Sequence, residues 1–555
     1  MLVATALVIG IVGPAAAEPR GRRAPPLAPA GDDAIGRALT AGRITEARYA
    51  LERAAAVFAP TPVGRGTEPR LATMYLRDLA ARVRDLSGLQ YLRARRLLAR
   101  PTGPPGGDEP HYTAPPEDFR RHCTPRFCVH WVVSTEDAPD LGDADANGLP
   151  DWIDHVVAET TRVWEVAEAT GYRPPKSDAT SGDNGGDGRT DIYVMNLARP
   201  ENKIYGYCTT DDPNMIDESS TYPYFDASAY CVLDDDYAEY PQPGLPSLRV
   251  TSAHELFHAI QFAYDAFEDV WLMEGTAVWF EDEVYDDIND SYQFLRASHL
   301  VAPRVPLDYG DVLHPTKGLF PYGSFLFWRF LSEYGEIAGS PTVIRRIWER
   351  ADASPFGPHP AGEDDYSLRA VAKEVAYRGS PFRRAFNDFG VANLIPHRTY
   401  EEGAGYRAQV GRDVPLLRDV MIRPRAPRFR SWTELDHLTT GYVAFRPARR
   451  VPAGARLRIS VAGPPRRAGT HAAAVIFRRG GGIHVRHIRL DRRGDGALGV
   501  PFARSSIKRV VLVLSNGSTR FDGATCYSAV TTFSCGGARP LDENRIFSFR
   551  SRLRT

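Results

Sequence analysis

The run His254-Glu255-Leu256-Phe257-His258 sets two imidazoles four positions apart, with a carboxylate beside the first. At 3.6 residues per helical turn His254 and His258 project from one face, and their ring nitrogens can reach a single Zn²⁺ at about 2.0–2.1 Å. Glu255 then points near the open coordination position, where it can act as general base on a water held by the metal. The flanking Ala253, Leu256, Phe257, Ile260, Phe262 and Ala263 predict a helix buried on most sides. Two histidines and a carboxylate are costly in such a place without a metal. A catalytic zinc also needs a third protein ligand. Glu274 follows His258 by sixteen residues, inside the amphipathic stretch Trp271 to Glu281. Its neighbours Gly275, Thr276 and Ala277 are small enough to let this second helix approach the first. The competing reading of Glu274 is a cap or a surface ion pair.

A second group of donors has a different chemistry. Asp143, Asp145, Asn147, Asp151 and Asp154 stand at positions 1, 3, 5, 9 and 12 of a loop with Gly148 at position 6, and Leu149 can offer its carbonyl at position 7. Hard oxygens at this EF-hand-like spacing suit Ca²⁺. A solvated acidic turn is the alternative. The run Asp183 to Asp191 is a weaker oxygen-rich candidate, and Asp234-Asp235-Asp236 reads as a surface acid cluster ending a strand.

These groups need elements to hold them. Periodic apolar residues predict helices over 153–170, 250–267, 271–284 and 322–334, and β-branched and aromatic runs predict strands at 127–133 and 191–195. This mixture implies a sheet with helices packed on it. Upstream, residues 33–98 are helical in pattern, with arginines on the outer face, and the Pro/Gly run 101–107 marks a boundary. Downstream, short strands near 441–445, 457–461, 474–477, 483–488, 510–514 and 546–549 predict an all-β sandwich.

Composition sets outer limits. The 555 residues are 43% hydrophobic, enough for two or three packed domains. Residues 423–555 carry 26 Lys+Arg against 7 Asp+Glu, and residues 1–422 carry 42 against 62, so the net charge of −1 hides a division. An acidic bulk of that size argues against nucleic acid as the partner. The basic end suits an anionic cell-surface polymer, the chain's own acidic half, or plain solvation. No internal stretch approaches the roughly 20 apolar residues of a membrane span. The apolar start, ending in Ala15-Ala16-Ala17, predicts a signal peptide cleaved after Ala17 and hence an extracellular protein. Six cysteines fall by spacing into local pairs, Cys123/Cys128, Cys208/Cys231 and Cys526/Cys535, although six permit 15 connectivities.

H-E-x-x-H followed by a Glu on the next helix resembles the gluzincin zinc peptidases, and Trp271-Leu-Met-Glu-Gly-Thr-Ala277 is similar to the third-ligand helix of zinc aminopeptidases. The spacing is shorter than in those enzymes, and the G-x-M-E-N exopeptidase signature is absent. Thermolysin-like enzymes keep an Asp four residues after the ligand Glu that orients a ligand histidine; Val278 stands there, so Glu281 or Asp282 is expected to take that part. Residues 120–335 also resemble exported bacterial proteins assigned to a metalloprotease class without a known substrate. The likeness rests on the stretches 143–154, 186–194, 250–262 and 322–331. Together with the patterns above it gives a multidomain chain: a signal peptide (1–17), a helical segment that is either a propeptide or a resident domain (18–107), an α+β zincin-like catalytic domain (108–422) and a basic β-sandwich (423–555). It further implies a secreted zinc peptidase acting on proteins or peptides, with Glu255 as base. Tyr322, with His314 behind it, is expected to donate to the oxyanion. Two rivals remain: a calcium-stabilised binding or adhesion protein without catalysis, and a zinc hydrolase of a non-peptide substrate.

Overall fold

The protein is seen in a computed structural model that describes residues 33–59, 69–103, 110–199, 202–217, 220–311, 314, 316–333, 340–361, 363–522, 533–534 and 538–555. The leader expected at 1–17 and the pair Cys526/Cys535 lie outside the described residues. The other two pairs are disulfides, Cys123–Cys128 and Cys208–Cys231.

Four helices open the described chain: α1 (Ala34–Thr40), α2 (Glu46–Phe58), α3 (Ala72–Ala80) and α4 (Gly88–Leu97). Asp33 and Thr45 cap the first two by accepting the N–H of Gly36 (2.8 Å) and Arg48 (3.2 Å). The expectation of outward-facing arginines over 71–98 holds for Arg95 and fails for Arg77 and Arg82. Arg53, Arg77 and Arg82 are all buried, and Arg77 (1% exposed) donates to the Glu268 carbonyl at 2.7 Å while pairing with Asp78 at 2.8 Å. The helices are not a free-standing unit, so their "outer" face is an internal contact, where each guanidinium finds fixed acceptors. Arg100, just after α4, enters a buried nest of Asp178, Asp191 and Asp211.

The central sheet has five strands in the order β1 (Phe119–Cys123), β2 (Phe127–Val132), β3 (Thr190–Met195), β5 (Tyr230–Asp234), β4 (Gly206–Thr209). Strands β2, β3 and β5 are parallel and the two edges antiparallel. Every residue of β2 to β5 is buried, as expected when helices cover both faces. Helix α5 (Asp151–Thr170) ends at Gly171, whose φ of 90° favours glycine. It packs on α6 (Leu245–Asp265), and α6 packs on α7 (Val270–Val284). One continuous apolar core joins α2–α4, the sheet, α6, α7 and α8 (Phe325–Glu333). Asp234 and Asp235, expected at the surface, are buried. Asp234 accepts the N–H groups of Leu197 (2.9 Å) and Tyr237 (2.7 Å), so it ties a turn rather than facing water.

The carboxyl-terminal part is two sheets around a second core. A five-stranded sheet runs Ile483–His487, Thr470–Arg478, Ile507–Asn516, Thr439–Pro447, Arg418–Ile422. A four-stranded sheet runs Asp495–Pro501, Arg456–Ala462, Arg545–Arg554, Arg428–Leu435. Arg418–Ile422 pairs in parallel with Thr439–Pro447, so the sheet begins ahead of the boundary expected at 423. Its short, charged sequence carries no strand alternation of its own. Helix α9 (Phe382–Leu394) lies on the outside of the five-stranded sheet through Val391, Leu394, Tyr442 and Val513. The basic excess is partly visible on the four-stranded sheet, where exposed Arg456, Arg458, Arg550, Arg552, Arg428 and Arg430 stand in cross-strand register. The chain is thus multidomain, with helices and mixed and antiparallel sheets in an α+β arrangement. No helix among the described residues is long and apolar enough to cross a membrane.

Candidate metal centre

Helix α6 is buried along nearly its whole length, because apolar residues surround the histidine face on three sides. His254 and His258 lie one turn apart on it, with their Nε2 atoms 3.0 Å from each other. Glu274, on the first turns of α7, brings Oε2 to 3.3 Å from His254 Nε2 and 3.9 Å from His258 Nε2. Glu274 is 0% exposed, and neither of its oxygens makes a hydrogen bond. These three residues therefore converge as expected. Three donors on a tetrahedral ion with bonds of 2.0–2.1 Å lie roughly 3.3–3.4 Å apart, close to the spacings here.

The outer face of each imidazole fixes which nitrogen is free. Nδ1–H of His254 donates to Glu281 Oε1 at 2.6 Å, so of the two residues expected to orient a histidine, Glu281 does. Asp282 turns away to Arg329, at 3.1 Å. Nδ1–H of His258 donates to Gln261 Oε1 at 2.7 Å; the Gln261 amide nitrogen in turn donates to the Met273 carbonyl (2.9 Å) and Thr276 Oγ1 (3.0 Å), which sets the amide's direction. Both Nε2 atoms are left facing Glu274, the arrangement that metal-ligating histidines adopt. Gln261 is three residues after His258 on the same helical face, a signal available in the sequence and not used. The small residues of α7 act differently from expectation. A Cβ on Gly275 would meet Ser324 and Trp328, so Gly275 admits the Phe320–Glu333 segment, whereas Thr276 reaches α6.

Burial pushes the Glu255 carboxyl up to about 7, against the pull of His254, with Glu274 adding to the rise. Burial also depresses His258, to about 4. Burial opposes the charge on His254 as well, but Glu274, Glu281 and Glu255 outweigh it and hold that imidazole well above the usual histidine value. Glu255 Oε2 accepts a hydrogen bond from Thr73 Oγ1 at 3.0 Å, a contact from α3 that no local pattern announces. Gly206 of β4 allows the edge strand to pass close to this carboxylate: a Cβ there would stand 3.1 Å from Glu255 Cγ.

Tyr322 lines the same cleft as His254, Glu255 and Glu281, with its ring 6.3 Å from that of His254, and its hydroxyl donates to the Arg70 carbonyl at 3.0 Å. His314, the second candidate donor, is not among the residues that line this cleft. That imidazole accepts the Thr316 N–H at 3.2 Å and stands edge-on to Tyr309, because the turn before the Tyr322 helix folds it away.

The Asp143–Asp154 loop is exposed and only partly gathered. Carboxylate oxygens of Asp143, Asp145 and Asp151 lie within 4.8 Å of one another. Asn147 presents its amide nitrogen to Asp154 (2.9 Å) and Asp145 (3.2 Å), while its oxygen accepts the Leu149 N–H at 2.7 Å. Gly148 takes a φ of 91°, the conformation that position 6 of such a loop demands. In the weaker Asp183–Asp191 candidate, Asp191 is committed to Arg100 and His130.

No family model matches the chain, and no curated protein matches it. Among solved structures, one match is a 4-O-methyl-alpha-glucuronidase of family GH115 with specificity for decorated arabinogalactans. It is 10% identical with a TM-score of 0.14, over 69% of this chain and 53% of that one, so this chain spans about half of that enzyme's length. A likeness that slight carries no argument about fold or function.

Proposed function

We propose that the protein is an exported zinc metallopeptidase of the gluzincin type, with a zincin-like catalytic domain and with His254, His258 and Glu274 as the metal ligands. The observation that carries this reading is the buried Glu274 carboxylate, without a hydrogen bond and facing two imidazole nitrogens whose other sides are already committed. A bound zinc supplies Lewis acidity, polarising a carbonyl and making water nucleophilic near neutral pH. The remaining chemistry belongs to the chain. Glu255, adjacent to the ligand His254 and lining the cleft, is suited to take the proton of the attacking water at an Oε atom and deliver it to the departing amine nitrogen. Tyr322 already donates to a peptide carbonyl oxygen, that of Arg70, and is placed to do the same for the developing oxyanion of a substrate. Edge strand β4 runs past Glu255 and offers outward backbone groups to an extended peptide. The two disulfides accord with an extracellular protein. The proposal includes Ca²⁺ at the Asp143, Asp145 and Asp151 carboxylates, where it would brace the start of α5.

The test is zinc analysis together with digestion of a peptide library. Wild type and Glu255→Ala are expected to hold one zinc per chain and His258→Ala none, with cleavage, however slow in the intact chain, by wild type alone. Zinc without cleavage of any peptide favours a hydrolase of another substrate. No zinc favours a binding protein.

A further inference from the structure

The cleft beside Glu255 is occupied by this chain's own residues. Thr73 Oγ1 donates to Glu255 Oε2 at 3.0 Å and accepts the N–H of Cys208 at 2.9 Å. Cys208 lies on the free side of edge strand β4, so Thr73 uses both the base and an edge amide that an extended peptide would use. Three residues earlier, the Arg70 carbonyl takes the Tyr322 hydroxyl. The Arg70 side chain runs into the cleft wall: its guanidinium carbon is 5.9 Å from the centre of the Phe294 ring, the guanidinium hydrogen-bonds Tyr205, and the Asp290 carboxylate stands nearby. Asp290 is aimed by two amides, Gln242 Nε2 at 3.0 Å and Gln293 Nε2 at 2.6 Å. An aromatic face, a phenol and a braced carboxylate together form a seat for a cationic side chain.

We propose that this seat is a substrate subsite for an arginine or lysine side chain, and that residues 33–100 inhibit the enzyme by placing Arg70 and Thr73 across the groove. The proposal rests on the peptidase reading. Its occupant is held firmly, since Arg77 bonds the Glu268 carbonyl and Arg100 fills the nest of Asp178, Asp191 and Asp211. A plug seated on base, oxyanion donor and edge strand excludes substrate without touching the metal ligands. The acidic surroundings of the groove, Glu255, Glu281 and Asp290, favour a cationic peptide over a neutral one.

The test uses the full chain loaded with zinc, with a recognition sequence for a site-specific protease inserted after Gly103. Because the severed helices can remain docked, a second full-length chain carries Thr73→Glu, whose carboxylate is set against that of Glu255 in an already acidic groove. Three readouts are taken: amide hydrogen exchange at Cys208, turnover of paired peptide libraries with lysine and arginine or norleucine at one position, and binding of a labelled arginine pentapeptide to the zinc-free chain. Cutting or Thr73→Glu is expected to speed exchange at Cys208 and raise turnover of the basic library at least tenfold, with zinc content unchanged. Asp290→Asn in the opened chain is expected to erase the preference for the basic library. Opened chains that retain zinc yet cleave no faster than the intact one, or treat both libraries alike, overturn the proposal. If no chain cleaves anything with zinc bound, the peptidase reading has failed. Pentapeptide binding then decides the groove by itself: binding gained on opening and lost in Asp290→Asn upholds the subsite, and equal binding throughout removes it.

Discussion

Replacing Glu274 by methionine tests the metal site with two effects of opposite sign. In the metal-free protein the carboxylate is fully buried without a hydrogen bond, and its nearest polar neighbours are imidazole nitrogens at 3.3 and 3.9 Å. A buried polar group left unsatisfied costs about 1–3 kcal/mol. Methionine has similar length and no such demand, but it also removes the carboxylate that keeps the pKa of the His254 imidazole raised from 3.3 Å away. Glu274→Met is therefore expected to stabilise the metal-free protein by at most about 1–3 kcal/mol, measured at a pH where His254 is neutral. With zinc the order reverses. An ion present at 1,000 times its dissociation constant stabilises the native state by about 4 kcal/mol. Loss of one of three ligands costs at least the ~100-fold at the upper end of outer-shell substitutions, which leaves a zinc increment of about 1.4 kcal/mol or less. Urea unfolding followed by tryptophan fluorescence reads both effects, because every tryptophan except Trp432 lies between Trp131 and Trp348. The curves are compared in chelator and in excess zinc. A Glu274→Met protein that is less stable in chelator and keeps the full zinc increment would show that the carboxylate is a structural group, and the ligand assignment would fall.

Glu281→Gln removes the charge behind His254 Nδ1 while keeping a hydrogen-bond acceptor there; a 10–100-fold loss of zinc affinity is expected in competition with a fluorescent chelator, with the fold intact by circular dichroism. Asp145→Ala is expected to remove the calcium-dependent part of thermal stability and leave zinc content unchanged; equal loss of both metals would mean that the two sites are not separate. His437 Nε2 donates to Asp308 at 2.9 Å, where the carboxyl-terminal sheets meet the rest of the chain. Burial opposes the imidazole's charge, but Asp308 and Glu543 raise its pKa to about 9, while His437 and Ser534 hold Asp308 below the usual carboxylate range against burial. A raised histidine contributes stability that is fully present below about pH 6.5 and lost as pH rises through 9, here up to about 3 kcal/mol. Calorimetry from pH 6 to 10 is expected to show that decline in wild type and a flatter profile in His437→Gln; identical profiles would refute the linkage.

Much of the candidate site could be read locally. The i, i+4 spacing of His254 and His258 and the helical period of their neighbours specify one face of one helix, whatever the rest of the chain does. The helix of Glu274, five of the six strands between 439 and 516 (all but Asp495–Pro501) and the strand at 545–554 follow from the same periodicities. Two disulfides followed from proximity in sequence. The choice between Glu281 and Asp282 did not, since adjacent helical residues diverge by about 100°, and only the packing of α7 between α6 and α8 sends one to His254 and the other to Arg329.

What periodicity determined by itself is which side chains share an element's face. What only the tertiary structure decided is which faces meet. Thr73 and Glu255 are 182 residues apart and touch because α3 packs against the edge strand. The arginines of the first helices read as solvent-facing until the core that receives them is known. Arg418–Ile422 became a strand through its partner rather than its own pattern. Local torsional preference and amphipathic period act within a few turns of chain, whereas burial and ion pairing depend on surfaces supplied from far along it.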